Sequence, residues 1–310
     1  MKNWQHNEQV NGIASAVGAY LLWGFFPIYW KLVQVVPPQE ILAHRIVWSF
    51  VFLVLVLLAT GKIGSFMAEL RGLAAQPPKI AGVVLASIFI TVNWYTYIWA
   101  VNHDRVVESS LGYYINPLVS VMLGVIVLKE KLSFWQVVSF ILAAAGVMYM
   151  TVNFGAVPWM ALILAASFGM YGLLKKMTHL SALTGITLET MVITPFVLTY
   201  LGFVHYSGNG AFGNVAPGVT GLLLGAGVVT AVPLVLFAAG ANRLPLSVIG
   251  FLQYLAPTLM LIIGVGMYHE PFTRVHLVSF TLIWTALTVF SLAKTKIMTE
   301  HEPKLFKRYG

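Results

Sequence analysis

Residues 117–125 read PLVSVMLGV, and residues 257–265 read PTLMLIIGV. A shift of 140 residues (257 minus 117) superposes the two stretches and also brings Glu130 onto Glu270. Without a gap, the same shift aligns further rare residues, which are Pro77 with Pro217, Asn102 with Asn242, and Tyr114 with Tyr254. Chance between two Leu- and Val-rich strings rarely keeps one register over about seventy residues, so we interpret the match as an internal repeat.

The composition indicates a membrane protein. Hydrophobic residues make up 59% of the chain and charged residues 9%, whereas soluble domains have roughly 45–50% and about 25%. So few charges cannot cover a water-facing surface, which excludes a soluble protein. The chain has no cysteine, which excludes disulfides and thiolate metal ligands. The net charge of +8 comes from basic residues scattered among loops, and this pattern argues against a nucleic-acid partner.

Apolar runs long enough to cross a bilayer follow one another along the chain, and in hydrocarbon such runs must be helical. We predict ten of these spans, at 12–30, 40–59, 80–101, 107–128, 133–151, 158–174, 185–204, 218–241, 245–268 and 275–293. The predicted fold is therefore an all-α integral membrane protein with ten transmembrane helices. The polar stretch 61–79 is expected to be a loop.

The basic residues predict the orientation. With the N-terminus inside, fourteen Lys and Arg residues fall in cytoplasmic segments, and only Lys31, Arg105 and Arg274 fall in external ones. This bias predicts that both termini are cytoplasmic. We expect no signal peptide, because the first apolar run is too long and lacks a cleavage site.

The repeat and the spans together predict the domain organisation. Residues 1–152 and 153–310 would each form a five-helix unit. Because five is odd, the second unit must insert upside down. Inverted repeats of this kind are typical of secondary transporters, whose substrate site lies near the membrane midplane between the halves.

Polar and aromatic residues within the spans are candidate site residues, because polar groups in a membrane are costly. One face of the fourth span is small and polar, which favours the wall of an aqueous cavity over a tight packing seam. Its members are Ser109, Gly112, Tyr113, Asn116 and Ser120, with Gly250, Gln253, Tyr254 and Pro257 as their counterparts in the ninth span. Aromatic faces add Tyr20, Trp23, Pro27 and Trp30 in the first span, Asn93, Trp94 and Tyr97 in the third, and Tyr171 in the sixth. Trp30 is expected to be an interface anchor, since it ends its span.

Four ionisable residues lie at membrane depth. Glu40, His44 and Arg45 fall near the external end of the second span, as functional groups or as side chains that reach back to water. Glu189 lies about one turn inside the cytoplasmic end of the seventh span. A pairing of Glu189 with Lys175 or Lys176 would be purely structural.

Three motifs resemble one known family over nearly the whole chain. They are NWYTYIWAVN at 93–102, SSLGYYINPL at 109–118 and SFGMYGLLKK at 167–176. They look like the RarD proteins, which belong to the EamA-type branch of the drug/metabolite transporter superfamily and carry the label chloramphenicol-sensitivity protein. The resemblance implies a bacterial inner-membrane permease with a central cavity between two inverted halves.

Carried over by position, the resemblance favours ten residues as the lining of that cavity. They are Trp23, Asn93, Trp94, Tyr97, Ser109, Tyr113, Asn116, Tyr171, Gln253 and Tyr254. The second helix is more peripheral in that architecture, so His44 and Arg45 would form an external gate. Glu40, His44 and Glu189 are the candidates for ion coupling.

The expected function is secondary-active or facilitated transport of a small organic metabolite or drug by alternating access, with export as the favoured direction. Uptake or uniport is the alternative. An enzyme is disfavoured because H-E-x-x-H and G-x-S-x-G are absent. No cofactor or metal is expected, and the partners are a small-molecule substrate and lipid. We expect a functional monomer, although the small residues Gly221 and Gly225 would also suit a dimer seam.

Overall fold

The chain folds into helices in the computed structural model, which describes residues 2–102, 106–153, 155, 157–269, 272–293, 295–300 and 302–303. No strand occurs in these ranges. The helices are α1 (Lys2–Gly24), α2 (Phe26–Leu32), α3 (Pro38–Ala59), α4 (Ile63–Ala74), α5 (Pro77–Asn102), α6 (Val106–Ile126), α7 (Phe134–Asn153), α8 (Trp159–Thr178), α9 (Ala182–Tyr206), α10 (Pro217–Arg243), α11 (Leu246–Leu252), α12 (Leu255–Tyr268), α13 (Arg274–Leu292) and α14 (Lys296–Glu300).

The described residues contain nine stretches that are long and apolar enough to cross a membrane. They are Asn7–Leu32, Pro38–Ala59, Pro77–Tyr97, Phe134–Asn153, Trp159–Thr178, Ala182–Tyr206, Pro217–Arg243, Leu246–Tyr268 and Arg274–Leu292. A shorter apolar stretch, Leu111–Ile126, belongs to α6. The predicted count of ten spans therefore stays a prediction.

Large apolar side chains cover the outside of the helix bundle. Phe196 is 72% exposed, and Leu55, Phe203 and Val152 are also exposed. A soluble monomer rarely exposes a large contiguous apolar surface, so this surface faces lipid. The chain is a multi-pass membrane protein.

The prediction of a loop at 61–79 was wrong, because α4 lies in this segment. Its Phe66 and Leu73 are buried against Leu57, Val83 and Leu188 of α3, α5 and α9. The opposite side of α4 stays exposed. The segment is thus an amphipathic helix, and its apolar face was too short to suggest a span.

Helices approach each other closely where glycine removes the side chain. A Cβ atom at Gly227 in α10 would lie 2.3 Å from the carbonyl carbon of Trp48 in α3. A Cβ at Gly250 in α11 would lie 2.8 Å from the carbonyl oxygen of Pro117 in α6. Small residues allow such backbone contact between membrane helices. These crossings bring α3, α6, α10 and α11 together around the centre of the bundle.

Candidate functional site

A central cavity lies among α1, α2, α3, α5, α6, α8, α10 and α12, and Gln253, between α11 and α12, also lines it. About 850 Å³ between the lining atoms is free of protein, open solvent at the mouth included. The lining residues are Tyr20, Trp23, Phe26, Pro27, Trp30, Arg45, Asn93, Trp94, Tyr97, Tyr113, Asn116, Phe168, Thr230, Leu234, Gln253, Ala256, Pro257 and Met260.

Two breaks in the helices border this cavity. The predicted span 12–30 divides into α1 and α2 at Phe25, and the predicted span 245–268 divides into α11 and α12 just after Leu252. Pro27 and Pro257 have no amide hydrogen, so each leaves a carbonyl four residues earlier without its usual helical partner. Irregular backbone at membrane depth is tolerated where it lines a cavity, which explains the position of both breaks.

Eight of the eighteen described lining residues are aromatic. The ring of Trp23 lies 5.6 Å from Tyr20 and 5.7 Å from Phe168, measured between centroids. Tyr97 and Tyr113 meet edge to face at 5.8 Å. Edge-to-face and tilted pairs are favourable ring arrangements, so these walls are packed rather than loose. Such a wall suits a flat organic molecule.

Three side-chain amides reach the cavity, and they differ in their partners. Asn93 Nδ2 donates to the carbonyl of Leu164 at 2.9 Å and to Ser167 Oγ at 3.1 Å, which ties α5 to α8. By contrast, Asn116 Oδ1 and Gln253 Oε1 are buried, and neither has a hydrogen-bond partner among the described residues. Buried acceptors are nearly always paired, so these two oxygens are available to a bound molecule.

Arg45 lies at the cavity, although the sequence grouped it with His44 as an external gate. Its Nε donates to Thr230 Oγ1 at 3.1 Å. Its guanidinium carbon lies 4.4 Å from the ring centroid of Trp30 and 5.0 Å from that of Trp94. Neighbouring residues of a helix point about 100° apart, so α3 can turn Arg45 inward and His44 elsewhere.

Glu40 and His44 fasten α3 to the segment before α10. Glu40 Oε1 accepts from the amides of Ala211 at 2.8 Å and Phe212 at 3.2 Å, and it lies 3.6 Å from His44 Nε2. The His44 ring stacks on Phe212 with 4.8 Å between centroids. Trp48 Nε1 donates to His44 Nδ1 at 3.2 Å. Glu40 and His44 thus bind the segment that holds Ala211 and Phe212, and neither residue lines the central cavity.

Glu189 and Tyr171 belong to a second, smaller pocket of about 290 Å³, which shares Trp94 and Leu234 with the central cavity. Lys175 Nζ lies 2.8 Å from Glu189 Oε1, and the Tyr171 hydroxyl donates to Glu189 Oε2 at 3.1 Å. The structural pairing considered for Lys175 is therefore present. Tyr171 was assigned to the central cavity, and the structure places it beside this ion pair instead.

The other predicted lining residues divide as follows. Trp23, Asn93, Trp94, Tyr97, Tyr113, Asn116 and Gln253 lie together at the central cavity. Tyr254 does not, because it packs with Tyr114 and Phe280 in a separate apolar cluster. The side chain of Ser109 lies outside the described part of the structure.

Sequence reasoning missed Phe168, Thr230 and Met260, and it assigned Trp30 to the membrane interface. A signal for Trp30 was present, since it shares a helix face with Tyr20, Trp23 and Pro27. Within the described residues, no three His, Asp or Glu side chains are grouped so that they could hold a metal ion.

Comparisons with known proteins agree with this architecture. Residues 10–152 match the EamA-like transporter family. The chain is 50% identical over 295 residues to a Bacillus subtilis (strain 168) protein named uncharacterized transporter YojE, which covers 94% of this chain and 97% of that protein. It is 42% identical over 279 residues to Protein RarD of Escherichia coli (strain K12), and the match covers 90% of this chain and 93% of that protein. A solved crystal structure superposes with a TM-score of 0.67 at 18% identity, covering 92% of this chain and 98% of that one, and this likeness concerns the fold alone.

Proposed function

The chain belongs to the RarD family of EamA-like transporters, and on that premise we propose that it moves a small organic solute by alternating access around the central cavity. The observation that carries the proposal is the make-up of this cavity. Its walls are mainly apolar or aromatic, and Arg45, Asn116 and Gln253 supply a few polar groups. Binding sites for small organic molecules have this combination of apolar walls and a few placed polar groups.

Helix packing supports ten spans in two inverted repeats, 1–152 and 153–310. The spans are α1 with α2, α3, α5, α6, α7, α8, α9, α10, α11 with α12, and α13. If the halves are equivalent, a contact between two spans should also occur between the spans five positions later, where the count continues from the tenth span to the first. The contact of α5 with α8 recurs as α10 with α1, and that of α6 with α8 recurs as α12 with α1. The counterparts α7 and α13 also pack on each other, as do α6 and α11.

Contacts at the helix ends support the predicted sidedness. Glu8 Oε2 lies 2.8 Å from Arg243 Nε, and both would be cytoplasmic. Lys31 Nζ lies 3.7 Å from the ring centroid of Tyr268, and both would be external. With the excess of basic residues on the first side, this favours an orientation with both termini in the cytoplasm of a bacterial cell and the helices in its inner membrane. Export by a functional monomer is the favoured mode, with uptake or uniport as the alternative.

Cysteine accessibility tests the alternating-access mechanism, because the chain has no cysteine of its own. Met260→Cys places a thiol at the cavity, and Leu55→Cys places a control thiol on the lipid-facing surface. We expect a membrane-impermeant maleimide to modify Met260→Cys in both right-side-out and inside-out vesicles, and to leave Leu55→Cys unmodified. Modification of Met260→Cys from one side alone would contradict the proposal.

A cross-link separates a transporter from a channel. We propose that the contact between Lys31 and Tyr268 closes the external side, and cysteines at these two positions can be joined by a bifunctional reagent to hold it. In a transporter, the cross-link should abolish external labelling of Met260→Cys and increase its labelling from the cytoplasmic side, since the inward-open population rises. An unchanged cytoplasmic rate would indicate a pore without alternating access.

A further inference from the structure

Among the residues that the structure describes, Arg45 is a buried charge at membrane depth without a counterion. Arg45 is only 7% exposed. Thr230 Oγ1 accepts from Nε, and the rings of Trp30 and Trp94 lie against the guanidinium. In the described part of the chain, no carboxylate forms an ion pair with it. A charged group inside a membrane protein is normally paired, so Arg45 requires an explanation.

The other buried Lys or Arg side chain that the structure describes, Lys175, has a counterion. Lys175 pairs with Glu189 at 2.8 Å. The buried carboxylate of Glu40 accepts from the backbone amides of Ala211 and Phe212 through Oε1, which also lies 3.6 Å from His44 Nε2. The unpaired cation is thus the one that faces the central cavity. This distribution is expected if the counterion of Arg45 is the transported molecule.

The cavity also restricts what else the solute can carry. None of the described lining residues is Asp or Glu, so among them an ammonium group would meet Arg45 with no carboxylate to balance it. The buried oxygens Asn116 Oδ1 and Gln253 Oε1 lack donors. They can accept from a neutral N–H or O–H group of the solute. The aromatic wall then covers a flat apolar body.

From these features we infer that the solute is an organic anion, with one carboxylate bound by Arg45, a flat aromatic body, and a neutral hydrogen-bond donor. This inference rests on the proposed transport function and adds the chemical class of the solute. A guanidinium can bind a carboxylate through two parallel hydrogen bonds, and the stacked rings of Trp30 and Trp94 hold its plane in place.

Four compounds with the same indole body test the charge requirement. They are indole-3-acetate, which is an anion, indole-3-acetamide, which is neutral, tryptamine, which is a cation, and tryptophan, which is a zwitterion. Binding is measured by titration calorimetry on the purified full chain. It is also measured as protection of Met260→Cys from the maleimide. We expect indole-3-acetate to bind at least about tenfold more tightly than each of the others, since a charge-assisted bond contributes more than a neutral one.

Variants then locate the carboxylate. Arg45→Gln should weaken indole-3-acetate binding about 10- to 100-fold and change indole-3-acetamide binding less than about threefold. Arg45→Lys keeps the charge without the planar fork and should fall between wild type and Arg45→Gln. Arg243→Gln removes an exposed arginine paired with Glu8, and it should leave all affinities unchanged.

Several outcomes would overturn the inference. Equal or tighter binding of tryptamine, tryptophan or indole-3-acetamide would exclude an anion-selective site, and so would the absence of binding by all four compounds. The wild-type ranking needs no variant, so a poorly folded Arg45→Gln protein does not remove the test. Labelling of Met260→Cys from both sides does not depend on Arg45. If Met260→Cys is still labelled from both sides but indole-3-acetate is not the tightest of the four ligands, the solute class is wrong and the transport proposal stands.

Discussion

Replacement of Lys175 by methionine should destabilise the protein by about 3–5 kcal/mol. Lys175 Nζ lies 2.8 Å from Glu189 Oε1, and the two side chains are 5% and 6% exposed. Methionine keeps most of the side-chain volume but leaves the carboxylate buried without a cation. The Tyr171 hydroxyl still donates to Oε2, and one neutral hydrogen bond cannot replace the lost charge. Gly185 shows how closely the ammonium is enclosed, because a Cβ there would lie 2.7 Å from Nζ.

A double-mutant cycle separates the ion pair from simple loss of packing. Lys175→Met combined with Glu189→Gln removes both charges, so we expect the double variant to recover to within about 1–2 kcal/mol of wild type. The matched control is Glu8→Gln, which breaks the pair with Arg243. Its side chains are 38% and 36% exposed, so the loss should stay below about 1 kcal/mol.

Equilibrium unfolding of the purified variants in mixed detergent micelles, followed by far-ultraviolet circular dichroism, measures these differences. A loss below about 1 kcal/mol for Lys175→Met would refute the assignment of a buried, mutually dependent pair. Strictly additive losses in the double variant would refute it as well, because residues in contact should not add.

Two further predictions concern helix contacts. Gly227→Ala places a Cβ against the backbone of Trp48 and should destabilise the protein by about 1–3 kcal/mol in the same unfolding assay. Gly221→Ala is its control, because no atom lies within 4 Å of that Cβ and stability should stay unchanged. Glu40→Gln weakens the acceptor of two backbone amides, so limited proteolysis within 207–216 should become severalfold faster. An unchanged cleavage rate would mean that this contact does not hold the segment.

The sequence was informative about the lipid-facing character of the chain and the positions of its spans. Runs of apolar residues are a local property, and a bilayer requires their backbone to be helical, so nine of these runs were recovered as long apolar helices. The prediction of a loop at 61–79 was wrong because an amphipathic helix with two buried side chains has a weak local signal in the sequence. The divisions at Phe25 and after Leu252 were also missed, since a proline in a membrane span does not by itself tell whether the helix bends or breaks.

For the cavity, periodicity identified the right helix faces but not the depth and direction of each side chain. Asn116 and Gln253 lie on polar faces that the sequence already displayed, and the structure brings them to the same cavity. Tyr254, beside Gln253, packs into another cluster, since neighbouring residues in helical conformation point about 100° apart. Trp30 was treated as an interface residue because its position at the span end has that meaning in most membrane proteins.

By itself, the sequence determined the membrane environment, the helical content and the repeat of rare residues, because these follow from composition and spacing along one segment. Tertiary structure decided which charges meet. Lys175 finds Glu189, and Arg45 turns away from His44 to face Thr230 and the rings of the cavity. The physical reason is that these partners lie on different helices, α8 with α9 and α3 with α10, and helix crossings are set by backbone contacts such as Gly227 on Trp48. No local pattern encodes the angle at which two helices cross.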